Sequence, residues 1–419
     1  MAAGRRDALA IDGGSKSISF PWPRRGLFTE KEKAAVVRLF DRSIATGVDF
    51  GYNGKEEEAY CSEFAQFLGG GYADAVNSGT SAVYVALRAL ELEPFTEVIC
   101  PPVTDPGGVM PVPLMNCIPI PADSAPDSYN VGPDQIEARI TPRTSAIIVA
   151  HLAGIPAEMG PILEIAKAHK LPVVEDCAQA HGATYKGKMV GTLGAIGTFS
   201  TMFGKHHATG GQGGLVFTKN EELYWKIRRY SDRGKPFGLP AGSTNVAASF
   251  NFNLNDLSAC VGRVQLRRLP KLIAARRKAA LALAQECQKL KTVRLVTGPR
   301  GAGSSFWFLF FKLDQEKLRV DTAAFVKALR AEGLPVEAPY LKPFTCYDWY
   351  KNKAVFGTSR LPWSAPQYRG DPKAVYPLPN LEATDATQFY LQPFHERITP
   401  AQARRIAAAI GKVEKAYLR

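Results

Sequence analysis

Between Val173 and Gly214 the chain places an acid at the end of an apolar run (Glu175-Asp176), a hydroxyl at Ser200, a lysine at Lys205 and a glycine run, Gly210-Gly211-Gln212-Gly213-Gly214. An amine for a Schiff base, an anion beside a ring nitrogen and donors around a phosphate are what pyridoxal phosphate requires of a protein. Lys205, Asp176 and Ser200 supply one each. A carboxylate next to the pyridine nitrogen keeps that nitrogen protonated, because opposite charges in a poorly solvated site favour both ionised forms. The protonated ring then accepts electrons from a substrate carbanion.

Position supports the grouping. Asp176 closes Leu171-Pro172-Val173-Val174, which reads as a buried parallel strand, and ligands of open α/β sheets collect beyond the carboxyl ends of the strands. Lys205 follows a second expected strand, Ile196 to Ser200, so the two side chains are expected in one crevice. Taken singly, an acid at a strand end is more often a helix cap or turn former, and a loop lysine is usually a solvated surface charge; their joint spacing changes the weighting. Upstream, Gly79-Thr80-Ser81 opens an expected helix. Its free N–H groups and dipole make an anion site worth about 0.3 to 1 kcal/mol per charge at an exposed terminus, although an N-cap without a ligand has the same sequence. His181, His206 and His207 are too irregularly spaced for metal ligands, so no metal is expected; His206, directly after the lysine, is expected to line the site.

The elements that must position these residues follow from periodicity. From about Leu27 to Asp232, expected helices at Glu57 to Leu68, Ser81 to Leu92, Ile162 to Lys170 and Glu221 to Tyr230 alternate with short apolar strands. The strands are Glu97 to Cys100, Cys117 to Ala122, Ser145 to His151, Val173 to Asp176, Ile196 to Ser200 and Leu215 to Thr218. Such alternation gives an α/β fold with a mostly parallel sheet flanked by helices. A helical region follows to about Leu290, interrupted or kinked at Pro270. A smaller α+β portion then comprises a strand at Ser305 to Leu313, a helix at Thr322 to Glu332 and a closing helix from Pro400 to Tyr417. The expected organisation is an N-terminal arm (1–26), a large domain (27–262) and a small C-terminal domain (263–419). Pro339 to Leu378, rich in aromatics and proline, either covers a substrate or packs at a subunit seam.

Composition bounds the rest. The chain has 419 residues, 46% of them hydrophobic, enough for a sizeable core and two domains. Its longest apolar runs are too short for a membrane span, and Met1 to Asp7 lacks the apolar stretch of a signal peptide, so a cytoplasmic protein is expected. Seven widely spaced cysteines argue against a disulfide framework or structural zinc. A net charge of +13 and a pI near 9.3 could serve nucleic acid. The densest basic clusters, Arg263-x-x-x-Arg267-Arg268 and Arg276-Arg277-Lys278, instead read as the wet face of an amphipathic helix, and no nucleic-acid or membrane partner is expected.

Taken together, Asp176-x-x-Gln179-x-His181-Gly182, Gly191-x-x-Gly194 and Phe199-Ser200-x-x-x-x-Lys205 resemble the sugar aminotransferases of the DegT/StrS type. Asn77-Ser78-Gly79-Thr80-Ser81-Ala82 is similar to that family's phosphate-binding turn, and Phe250-Asn251-Phe252-Asn253-Leu254 to the segment that sets an asparagine on the partner subunit's cofactor. The resemblance runs from about Phe20 to Val413. It implies the type I pyridoxal-phosphate fold and a homodimer. It also implies a cofactor site of Gly79, Thr80, Asp176, Gln179, Ser200, Lys205 and Asn251, with Lys205 and Asp176 catalytic. Gln179 would then donate to the cofactor's phenolic oxygen; satisfying buried backbone is its other reading. Three departures stand out. The glycine-rich close after Lys205 is longer than usual and lacks an acid. Pro101-Pro102-Val103-Thr104-Asp105 has no aromatic where many members stack one on the ring. Asn253 stands where an arginine often binds the donor's carboxylate, leaving Arg233 as the candidate cation.

The implied reaction moves an amino group from L-glutamate or L-glutamine to a keto group of a nucleotide-linked sugar or a cyclitol. Within the family, dehydratases are the alternative, the best-known one carrying histidine in place of the lysine. A non-catalytic cofactor-binding regulator is the other.

Overall fold

The computed structural model describes residues 8–419; the reading of Met1 to Asp7 falls outside them. A seven-stranded sheet runs in the order Tyr72–Val76, Gly214–Thr218, Ile196–Ser200, Val173–Asp176, Thr144–Ala150, Glu97–Cys100, Ile118–Pro121. Only Gly214–Thr218 runs against the others, antiparallel to both of its neighbours. The register positions the site. Asp176 pairs with Thr198, so the strands ending in Asp176 and Ser200 finish side by side. Gly214 pairs with Ser200 on one flank and with Val76 on the other, which brings the turn after Val76 alongside Ser200.

Successive strand residues point to opposite faces, as a doubly covered sheet demands. Val173, Phe199, Leu215 and Phe217 enter one core with Phe64, Ile147 and Ile162. Val174, Ile196 and Val216 enter the other with Val83, Val98 and Ile227. The C-terminal portion has its own antiparallel sheet, ordered Val293–Leu295, Leu309–Leu313, Gln388–Leu391, Val336–Glu337, under helices Thr322–Ala331 and Pro400–Tyr417.

One helix, Asp256–Cys287, runs through Pro270 without interruption. Ala259, Leu266, Leu269 and Ile273 pack into the large core and Ala279, Ala280, Leu283 and Cys287 into the C-terminal one, so the helix changes cores between Ile273 and Ala279. The N-terminal arm folds onto the C-terminal portion, with Leu9 and Ile18 in its core and Trp22 Nε1 donating to the Gly333 carbonyl at 3.1 Å.

The reading of Arg276-Arg277-Lys278 as a wet face is corrected at its first member. Arg276 is fully buried, gives three hydrogen bonds to the Phe306, Trp307 and Phe394 carbonyls and pairs with Glu396 at 2.9 Å. Helical spacing could not show that the C-terminal portion covers this side of the helix. All seven cysteines are unpaired. Among the described residues no helix is long and apolar enough to cross a membrane.

Candidate active site

A cavity of about 280 Å³ opens at the carboxyl ends of the central strands. Its wall includes Ser78, Gly79, Thr80, Thr104, Asp105, Gly107, Gly108, His151, Asp176, Ala178, Gln179, Ser200 and Lys205. Six of the seven cofactor-site residues expected from the sequence thus face one space; the seventh, Asn251, does not. The helix Gly79–Ala89 points its N-terminus into the cavity, capped by Ser78, whose Oγ accepts from the Ser81 backbone N–H at 3.0 Å. Close packing here depends on glycine. A Cβ at Gly79 would lie 2.6 Å from Ser200 Cβ, and one at Gly214 would lie 2.4 Å from the Ser78 carbonyl oxygen. The free first-turn N–H groups and Ser200 are therefore held close together on the cavity wall, where such groups suit an anion.

The amine and the acid border the same cavity. Lys205 is 6% exposed and its Nζ makes no hydrogen bond or ion pair among the described residues; it rests 3.9 Å from the centroid of the Trp307 ring. Burial pulls its pKa below the ordinary lysine value, opposed first by Asp176 and then by Asp105. Asp176, 8% exposed, accepts from the Ala178 N–H at 3.0 Å through Oδ1, while Oδ2 receives no hydrogen bond from any described residue. Burial pushes its carboxyl up, against the Ala178 N–H and the Lys205 amine, which favour the anion. An unpartnered buried amine, a carboxylate with one free oxygen and a helix N-terminus around one cavity fit pyridoxal phosphate at its aldehyde, ring nitrogen and phosphate.

Comparison with known proteins decides the family. A family profile, the DegT/DnrJ/EryC1/StrS aminotransferase family, matches residues 34–371. The chain belongs to this aminotransferase family. A GDP-perosamine synthase of Caulobacter vibrioides is 35% identical over 278 residues, 65% of this chain and 72% of its own. An L-glutamine:2-deoxy-scyllo-inosose aminotransferase of Streptomyces kanamyceticus is 32% identical over 354 residues, 82% of each chain. The X-ray structure of an aminotransferase from Psychrobacter cryohalolentis matches with a TM-score of 0.77 at 28% identity, over 95% of this chain and 99% of that one. The fold is the type I aminotransferase fold, and pyridoxal phosphate is the cofactor of this transaminase.

Two supports of the aminotransferase site escape sequence reading. Glu175, fully buried beside Asp176, accepts from the Gly191, Leu193 and Gly194 N–H groups at 2.7 to 2.8 Å, and so ties the glycine turn to the strand that ends in Asp176. Arg25, from the arm, donates to three successive carbonyls of the lysine loop: Gly204 at 3.0 Å, Lys205 at 2.7 Å and His206 at 3.0 Å. Its Nε pairs with Glu396 at 3.0 Å. Some 180 residues separate Arg25 from Lys205, and no local pattern announces such a contact. Arg25→Met is expected to cost about 2 kcal/mol, since hydrogen bonds from a charged donor are lost and carbonyls are left unpaired. The urea midpoint measures it; an unchanged midpoint would mean the loop holds itself.

The remaining sequence expectations divide. Gln179 Oε1 accepts from the Ala153 N–H at 2.8 Å and its Nε2 donates to Tyr340 Oη at 3.2 Å, leaving one amide hydrogen for the cavity. Arg233 is absent from the cavity wall and is held at the surface by Asp232 and Tyr52. Asn251 is exposed and accepts from Asn253 at 2.7 Å. The segment 339–378 begins at the site with Tyr340, then lays Phe344, Tyr350, Trp363 and Tyr368 on one face of the sheet.

His206 does not line the cavity. Its Nε2 donates to the Ser305 carbonyl at 3.3 Å, which leaves Nδ1 bare and buried. The residue belongs to a buried group with His181 and His207, joined Nδ1 to Nδ1 at 2.8 Å, and with Tyr60, which meets His207 at 2.6 Å. Burial holds all three histidines below the ordinary value, His207 at about 3. As pH falls below about 6.5 the unfolded chain takes up protons that the folded chain refuses. The histidines' contribution is therefore full above that pH and is expected to fall by up to about 1.4 kcal/mol per pH unit per histidine toward pH 3, while Glu57, pushed up to about 8 by burial, titrates in the opposite sense and offsets about one of the three. Urea midpoints measured from pH 8 to pH 4.5 check this; a flat profile between 6.5 and 5 contradicts it.

Proposed function

We propose that the chain transfers an amino group from L-glutamine or L-glutamate to a keto group of a nucleotide-linked sugar or a cyclitol, acting as a cytoplasmic homodimer. The observation that carries the reading is that the unpartnered Lys205 amine, the carboxylate of Asp176 and a helix N-terminus border one cavity. The relatives' names support both acceptor classes and, for the cyclitol enzymes, glutamine as donor.

When bound, the cofactor supplies an aldehyde that takes an amine covalently and a protonated ring that accepts electrons. The chain does the rest. The Gly79 and Thr80 N–H groups with the Ser200 hydroxyl would hold the phosphate, and the Asp176 carboxylate would keep the ring nitrogen charged. Lys205 would take up the proton that the donor's α-carbon gives up and return one when the acceptor is aminated. Arg25 fixes the loop that carries this amine. Asn251, exposed on its own subunit, completes the partner's phosphate site, as its resemblance to the family's cross-subunit segment suggests.

The test has two stages. The protein loaded with pyridoxal phosphate is mixed with glutamine or glutamate, and loss of the visible absorbance of the lysine-bound cofactor identifies the donor. Keto sugars and cyclitols are then screened for its return. A deoxy product that has gained no nitrogen would replace the transaminase reading with dehydration. Sedimentation of the full chain tests the dimer.

A further inference from the structure

We propose that Asp105 is a positioning residue for Lys205: a second carboxylate on the cavity wall that keeps the amine able to take a proton while it is free of the cofactor. The inference rests on the reading of Lys205 as the proton-carrying amine. Asp105 opens the short turn Pro106–Gly108, and its Oδ1 accepts from the Gly107 N–H at 3.0 Å. Its other oxygen has no partner among the described residues.

The turn is wedged in place. A Cβ on Gly107 would lie 2.3 Å from Thr80 Oγ1, and one on Gly108 would lie 2.8 Å from Asp176 Oδ2, so the phosphate-site helix and the catalytic carboxylate both abut it. Asp105, Asp176 and Lys205 border one cavity of about 280 Å³. Asp105 is exposed, so its charge acts on the amine more weakly than that of the buried Asp176, but it faces the same space.

The surroundings of Lys205 make a second anion useful. The amine rests on the face of the Trp307 ring, which favours the ammonium but carries no net charge. Behind the loop, His181 and His206 are buried and neutral, and Arg25 binds the backbone carbonyl of Lys205 rather than its amine. His151 is engaged by Glu175 and by the Ala157 N–H, and Tyr340 reaches the site through Gln179. Only Asp176 and Asp105 are negative toward the amine, and Asp176 is reserved for the ring nitrogen. Burial alone would leave a neutral amine that accepts a proton poorly; proton transfer is fastest when the group's pKa lies near the working pH. The same anion adds to the upward shifts of Tyr340 and Tyr347, which burial dominates.

Asp105→Asn removes the charge and keeps the acceptor for Gly107. The full chain, freed of cofactor, is treated with an amine-selective acylating reagent between pH 6 and 10, and modification of the Lys205 peptide is quantified by mass spectrometry. The variant is expected to shift the labelling midpoint down by about one pH unit, a tenfold loss of proton affinity, and Asp105→Glu to restore most of it. In the loaded protein, the pH at which the visible absorbance changes is expected to move in the same direction. If Asp105→Asn fails to fold, Asp105→Ser caps the turn without charge and repeats the test. A midpoint equal to wild type, beside an Asp176→Asn control that does shift, reduces Asp105 to a turn cap and overturns the proposal. Labelling requires no turnover, so the result stands apart from whether the chain transaminates.

Discussion

Replacing Lys205 with alanine is expected to lower amino transfer by about 10⁴-fold, the upper end of what a positioned acid–base group contributes. The cavity contains no substitute. Its other ionisable groups are Asp105, His151 and Asp176, and His151 is already engaged on both ring nitrogens. Lys205→Arg is expected to be equally inactive, since a guanidinium keeps its proton at any working pH and cannot shuttle it. Comparing the two variants separates the charge from the proton transfer. Lys205→Ala should not unfold the protein, because Lys205 gives no side-chain hydrogen bond and removing a buried, unpaired amine relieves desolvation. Initial rates with glutamine and a responsive keto substrate, alongside denaturant midpoints, check both points. Activity in either variant within tenfold of wild type would remove Lys205 from the chemistry.

The parts of this site that the sequence discloses are those governed by local rules. Val173–Asp176 and Ile196–Ser200 sit where their apolar runs place them, and two adjacent parallel strands deliver their last residues to the same edge. Long-range satisfaction of polar groups is what stays hidden. Tyr72–Val76 breaks the apolar pattern at Asp74, which is buried only because Ser231 and Arg228 meet it from a distant helix. Helix Glu30–Thr46 is announced by little more than its capping box, Thr29 with Glu32, since Val37, Phe40 and Ile44 face outward. Pro270 reads as an interruption or a kink; the helix is not interrupted there, its two ends being anchored in separate cores. Arg25, Arg276 and Glu396 form one buried network joining the arm, the long helix and the C-terminal portion, while their sequence neighbourhoods look like ordinary surface. At Thr104-Asp105 the missing aromatic is legible, but the acid gains a role only once the turn is seen against Thr80 and Asp176.

Asp176→Asn is expected to cost function without costing stability. Asparagine can still accept from the Ala178 N–H, so the local turn survives, but nothing then holds a proton on the ring nitrogen. Turnover is expected to fall by about 10² to 10³-fold, the range for losing one preorganised electrostatic group in a closed site. Without cofactor the wild-type carboxylate is buried with one oxygen unpartnered, and burial already pushes its pKa up. An ion kept in that state costs stability, and a neutral amide of the same shape relieves it. The cofactor-free variant is therefore expected to match or exceed wild type in urea midpoint, whereas adding pyridoxal phosphate should raise the wild-type midpoint more than the variant's, because only the wild type gains a charge pair on binding. Titrating the midpoint against cofactor concentration for both proteins measures the difference directly. Equal gains would show that the carboxylate at 176 does not meet the ring nitrogen, and the assignment of the cavity's two ends would have to be reversed.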